Sequence, residues 1–152
     1  QDPAVIVALV DEEEHLLLAH NASWQRPLAS LIAGFVEAGE TPERAVEREV
    51  GEEVGLMVDE PVYRATQPWP FPRSQMLGFS ATLAAASRRE PVPDGVEIDW
   101  ARFYTRGEFA REVLAGVIAP PGPSSIAHAL VSEWFGEALP DSPLSGQTPE
   151  RP

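Results

Sequence analysis

Between residues 40 and 53 the chain gathers Glu40, Arg48, Glu49, Glu52 and Glu53. At about 100° per helical residue, Glu49, Glu52 and Glu53 fall within an arc of roughly 100°. That arc borders an apolar stripe, because Val46, Val50 and Val54 recur every four residues. Carboxylates crowded at the edge of a core repel one another, and partial burial strengthens the repulsion. A hard divalent cation removes the conflict. Oxygen-rich ligand sets with retained waters suit Mg²⁺ or Mn²⁺, and these ions also bridge phosphate oxygens. The alternative is a solvated acidic face, which most glutamate-rich helices present. Arg48 can pair with Glu52 along the helix or hold a carboxylate of the preceding loop.

The elements that must position these groups are readable on either side. Thr41 is an N-cap with Pro42 at the first helical position, the helical pattern runs to Val54, and Gly55 is its C-cap. Gly34 and Gly39 supply a permissive loop ahead of it. The run Leu28 to Phe35 is expected to be a strand that leads into this loop. Its Ala33 carbonyl is a further candidate metal ligand and the Phe35 ring a candidate surface for a base.

Gly34, five residues, Glu40, seven residues, Arg48-Glu49-Val50, one residue, Glu52-Glu53, one residue, Gly55-Leu56 resembles the Nudix box with every defining position filled. The resemblance implies an α/β fold, the Nudix α/β/α sandwich with a mixed β-sheet. It also implies hydrolysis of a nucleoside diphosphate linked to another moiety, with Mg²⁺ or Mn²⁺ as cofactor.

A second stretch narrows this. Gln67 to Ser74 reads QPWPFPRS, and its alternating prolines deny the backbone helix and central-sheet pairing, so Trp69 and Phe71 are expected on a stiff extended loop. The same residues would also serve as a Pro-rich surface turn capping the core, but rigid aromatics beside a glutamine and a serine suit stacking on a base. Thr66 to Ser74, TQPWPFPRS, is similar to the SQPWPFPxS signature that marks the NADH pyrophosphatase family downstream of a Nudix box, with Thr66 in place of serine. The resemblance carries substrate contact onto Gln67, Pro68, Trp69, Pro70, Phe71, Pro72, Arg73 and Ser74, with Arg73 at the variable position. It also matches Glu97 to a glutamate that completes the metal and catalytic site, although Trp100 replaces that pattern's second glutamate and Asp99 lies one residue earlier. The PPG…SIA segment resembles the family's C-terminal region, which assigns Ala127 a backbone approach to substrate.

Elsewhere the chain supplies scaffold. AVIVALV (4–10) and HLLLA (15–19) read as a buried hairpin across the acidic turn 11–14. VYRAT (62–66), residues 75–85 and residues 97–104 read as strands, and residues 105–115 and 126–135 as helices. His15 and His20 are read as structural or exposed, without partners near in sequence. Trp24 is read as cover for the core, and His128 as a bystander. Residues 1–138 form one expected domain and residues 139–152, rich in Pro, Ser, Gly and charge, an expected disordered tail.

Composition sets the outer bounds. A net charge of −13 opposes broad binding to a nucleic-acid backbone but not to one anionic small molecule held through cations. With no cysteine there is neither disulfide nor cysteine-bound zinc, so no zinc is expected in this chain. No apolar run reaches a membrane span's length and no signal peptide opens the chain, so a soluble, cytoplasmic protein is expected. The family resemblance spans residues 2–134. Family members normally carry an N-terminal domain and a four-cysteine zinc ribbon ahead of this region, and their absence here is what an excised catalytic domain or a natural short form would show.

The combined expectation is cleavage of NADH or NAD⁺ to nicotinamide mononucleotide and AMP. Glu49, Glu53 and Glu97 would hold metal, with Glu52 and the Ala33 carbonyl as further ligands. Glu53 is the first choice of base and Glu97 the second, and Glu52 and Arg48 complete the catalytic set. NAD-capped RNA is a further expected substrate and a homodimer an expected assembly. The rival readings are a Nudix pyrophosphatase for ADP-ribose or another dinucleotide, and a catalytically silent nucleotide-binding module.

Overall fold

The computed structural model describes residues 2–69 and 74–144; residues 1, 70–73 and 145–152, and the side chains of Pro68, Trp69 and Ser74, lie outside the described residues. Nine elements follow in order: β1 (Asp2–Val10), β2 (Leu16–Asn21), β3 (Ile32–Phe35), α1 (Pro42–Val54), β4 (Val62–Trp69), β5 (Ser74–Thr82), β6 (Ile98–Tyr104), α2 (Arg106–Leu114) and α3 (Ile126–Phe135). The strands form one mixed sheet in the lateral order β4, β5, β1, β2, β6, with β3 paired to β1. β1 lies parallel to β5 along its whole length, and the other pairings are antiparallel.

Alternation along the central strands divides the core in two. Val5, Val7 and Leu9 face α1 through Val46, Val50 and Val54, while Ala4, Ile6 and Ala8 face Phe109 and Val113 of α2 and Leu130, Val131 and Trp134 of α3. This is the expected α/β/α sandwich. Each fully buried valine of the α1 stripe contributes about 1.5–3 kcal/mol, which anchors the helix to the sheet independently of any ligand. Gly78 on β5 lets α3 approach, since a Cβ there would stand 2.8 Å from Ile126 Cδ1. Among the described residues no helix is long and apolar enough to cross a membrane.

Three sequence expectations change. The hairpin of β1 and β2 closes only at Val10 opposite Leu16, because β3 takes the same edge of β1 from Ala4 to Val7. The strand expected from Leu28 shortens to Ile32–Phe35: Leu28 bridges to Ala119 and Ser30 to Ala19, so the segment changes neighbours instead of keeping one. Gln67, Pro68 and Trp69, expected on a loop, extend β4 and pair with Met76, Gln75 and Ser74. Proline is tolerated there because β4 is the edge of the sheet. At the other end of the chain, Leu139 packs on the core and Ser142 is buried.

Candidate active site

α1 is built as its sequence requires. Thr41 is extended and its hydroxyl accepts from the Arg44 N–H at 3.2 Å, Pro42 follows, and Gly55 closes the helix at φ 68°. The helix lies against both β3 and β6, so its carboxylates meet residues from either part of the sheet.

Glu49, Glu53 and Glu97 each present a carboxylate oxygen, and the three oxygens lie within 4.8 Å of one another. Glu97 is exposed, Glu49 has 12% of its side chain exposed, and Glu53 is only 4% exposed. The Glu53 Oε2 atom is buried with no hydrogen-bond partner. Burial in the first place, then the charge of Glu49 and the neighbouring Glu97 carboxylate, pushes the Glu53 carboxyl up to about 10. An orphaned buried oxygen within a set of hard oxygen donors is what a divalent cation would satisfy, so the residues fit a metal.

Two supports hold this cluster. The Glu49 carboxylate occupies the space that a Cβ on residue 34 would fill, so only glycine at that position of β3 admits it. Arg48 binds Glu49 Oε1 through Nη1 at 2.7 Å, Glu40 through Nε at 2.8 Å and through Nη2 at 3.0 Å, and the Phe35 carbonyl through Nη2 at 2.9 Å. It therefore ties the loop after β3 to the helix, and the Glu40 carboxyl is held below its usual range, chiefly by these hydrogen bonds from Arg48. The two pairings open to Arg48 from sequence both occur, with Glu40 the closer; Glu52 stands 3.3 Å from Nη1.

The remaining candidates fall in different places. The Glu52 side chain is 61% exposed and stands outside the three-carboxylate group. Ala33 is half-buried on β3 opposite Ile6, and the Phe35 ring is exposed. Gln67 spans to α3: its Nε2 donates to the Ser124 carbonyl at 2.7 Å and its Oε1 accepts from the Ile126 N–H at 2.6 Å. Both ends of the amide are thus engaged within the protein, beside Ala127, which is buried in the first turn of α3. Pro70, Phe71, Pro72 and Arg73, and the side chains of Pro68, Trp69 and Ser74, lie outside the described residues.

The histidines are scaffold, with partners nearer than the sequence reading allowed. His15 Nδ1 sits 3.1 Å from Asp11, one i,i+4 step away. His20 donates Nδ1–H to the Leu28 carbonyl at 2.8 Å, stacks on Trp100 and meets Trp24 edge-on. His128 donates Nδ1–H to Pro121 O at 3.0 Å. Sequence reasoning missed Asp94, whose Oδ1 accepts three backbone N–H groups around Glu97. The signal was an Asp-Gly pair immediately before a strand.

A pH dependence follows from the buried carboxyl. In the metal-free protein Glu53 keeps its proton up to about pH 10, whereas in the unfolded chain it ionises above its ordinary 4.5. Folding therefore binds a proton between those values, and this group's contribution to stability falls as pH rises, by at most about 1.4 kcal/mol per pH unit. Thermal unfolding in chelator between pH 5 and 9 is expected to show the Tm of the wild type dropping relative to Glu53→Gln. Parallel Tm curves for the two would contradict the buried, protonated carboxyl.

An α/β/α sandwich with clustered carboxylates on its central helix, backed by a glycine and held by an arginine, defines the Nudix class. The family model described as the NUDIX domain matches residues 1–123. The chain belongs to the Nudix family. It is 42% identical over 141 residues to a protein of Mycobacterium bovis (strain BCG / Pasteur 1173P2) named "NAD-capped RNA hydrolase NudC", covering 88% of this chain and 44% of that one. A protein of the same name from Stutzerimonas stutzeri is 39% identical, with 95% of this chain and 49% of that one covered. The chain thus spans about half the length of the curated relatives it matches. Among solved structures, a Nudix hydrolase from Nitrosomonas europaea superposes with a TM-score of 0.65 at 24% identity, covering 93% of this chain and 78% of that one.

Proposed function

We propose that the chain hydrolyses the pyrophosphate bond of NADH or NAD⁺, releasing nicotinamide mononucleotide and AMP. The observation that carries pyrophosphate cleavage is the group of Glu49, Glu53 and Glu97 with its orphaned Glu53 oxygen. The substrate is supported by the segment TQPWPFPRS and by the names of the two curated relatives.

Glu49, Glu53 and Glu97 would hold Mg²⁺ or Mn²⁺. Such an ion, once bound, supplies the positive charge that favours ionised Glu53, screens the diphosphate and makes water a better nucleophile. Water then adds to one phosphorus, the bridging P–O bond breaks and the leaving phosphate keeps the bond's electrons. Glu53 accepts the proton from water, and the exposed Glu97 is the second candidate for that role. Arg48 holds Glu49 and the Phe35 carbonyl in place, so its part in catalysis is to position. The exposed Phe35 ring offers stacking to a base and the first turn of α3 at Ala127 offers backbone contact, while the family resemblance alone gives substrate contact to Trp69 through Ser74.

NAD-capped RNA fits the same chemistry, because the cap contains the same bond. With a net charge of −13 the protein is expected to engage the cap and not the RNA chain, so turnover of capped RNA should depend weakly on salt. A homodimer belongs to the same reading, and light scattering tests it.

Chromatography of products from NADH, NAD⁺ and ADP-ribose, with and without Mn²⁺, tests the proposal. The expected result is metal-dependent formation of nicotinamide mononucleotide and AMP. Faster turnover of ADP-ribose than of NADH would overturn the substrate, and no turnover with metal would leave a nucleotide-binding module.

A further inference from the structure

Glu97 comes from the polar connection between β5 and β6, yet it lies beside two carboxylates of α1. The Glu97 carbonyl accepts from the Ala22 N–H at 2.8 Å, and the turn ahead of it is tied to α1 and to Glu97 itself through Asp94. The Asp94 N–H donates to the Glu53 carbonyl at 2.9 Å, and Val92 N–H donates to the Val54 carbonyl at 2.8 Å. These carbonyls belong to the last turn of α1, where no helical amide can reach them. The Asp94 carboxylate turns the other way: its Oδ1 accepts from the N–H groups of Val96 at 3.0 Å, Glu97 at 3.0 Å and Ile98 at 2.9 Å. Gly95, at φ 77°, lets the chain reverse between them and closes the turn onto the Ile98 carbonyl at 3.0 Å.

We propose that Asp94 is a positioning residue for Glu97: bonded to the main chain of both Glu53 and Glu97, it sets the distance at which the two carboxylates face each other. The proposal rests on the reading of Glu97 as part of the metal site. A carboxylate that accepts three amides leaves the turn little freedom, and outer partners of this kind hold a ligand in register with its site. Asp94 is itself exposed, so removing its side chain leaves both halves of the core intact.

The test compares Asp94→Ala, Asp94→Asn and Glu97→Gln, singly and with Asp94→Ala added to Glu97→Gln. Amide exchange in the metal-free chain reads the turn directly. In Asp94→Ala the amides of residues 96–98 are expected to exchange faster, those of Val46 and Val50 to stay protected, and Asp94→Asn, which keeps an acceptor, to restore most of the protection. Mn²⁺ affinity by direct titration and kcat on NADH are expected to fall about 10–100-fold in Asp94→Ala, with KM for NADH within about threefold. In the Glu97→Gln background the same change is expected to add nothing. Unchanged exchange and Mn²⁺ affinity in Asp94→Ala, or an equal loss with and without Glu97, would overturn the proposal. If the wild type cleaves no dinucleotide, the functional reading fails while exchange and Mn²⁺ titration still decide the role of Asp94.

Discussion

Glu53→Gln is expected to lower kcat for pyrophosphate hydrolysis about 10²–10⁴-fold while the metal-free protein stays folded. The substitution keeps the size of a side chain that is 4% exposed and removes a carboxyl that burial and the charge of Glu49 hold in its protonated form. A neutral amide loses little in such a place, so metal-free Glu53→Gln is expected to be at least as stable as the wild type at pH 8. Loss of activity together with a retained or raised Tm separates a chemical role from a folding one. Near-normal kcat in this variant would remove Glu53 from the base position and pass that role to Glu97.

Gly34→Ala is expected to be nearly as damaging, for a reason outside the chemistry. Its added carbon would overlap the Glu49 carboxylate, which Arg48 holds at 2.7 Å. Gly34 is not among the positive-φ glycines, so backbone strain is not the cost. The carboxylate must give up its arginine and leave the group it forms with Glu53 and Glu97. A displacement of that size costs on the order of 10²-fold in rate and should weaken Mn²⁺ binding in direct titration. Adding Glu49→Asp, which withdraws the carboxylate by one methylene, is expected to recover part of the loss. Wild-type Mn²⁺ affinity in Gly34→Ala would mean that Glu49 is no ligand.

Local grammar made α1 legible to the residue: Thr41, Pro42 and Gly55 mark its ends without help from the rest of the fold, and Pro42–Val54 is what the structure contains. The span of α3 is as expected, 126–135, but its sequence leaves Ser124 and Ser125 both open as the cap, and the structure uses Ser125. Spacing on α1 placed Glu49 and Glu53 on one side and Glu52 beside them, but only the sheet decides that Glu53 is buried and Glu52 exposed. The strands were harder because pairing is non-local. Nothing in AVIVALV says that its edge is taken by residues 32–35 before residues 16–21 can reach it. Gln67 to Trp69 looked like loop because proline opposes pairing, and only the edge position of β4 removes the objection. Asp94 was passed over because its partners are main-chain amides, which leave no mark in side-chain spacing.

The bond pair from Gln67 to the start of α3 has a consequence for engineering. The Ile126 N–H and Ser124 carbonyl are satisfied by a side chain from the far edge of the sheet, so the proline-rich motif and the first turn of α3 make up a single transplantable cassette. A graft of residues 66–74 alone into another Nudix scaffold would strand the glutamine amide and carry no register for α3. A graft of both segments would bring its own fastening.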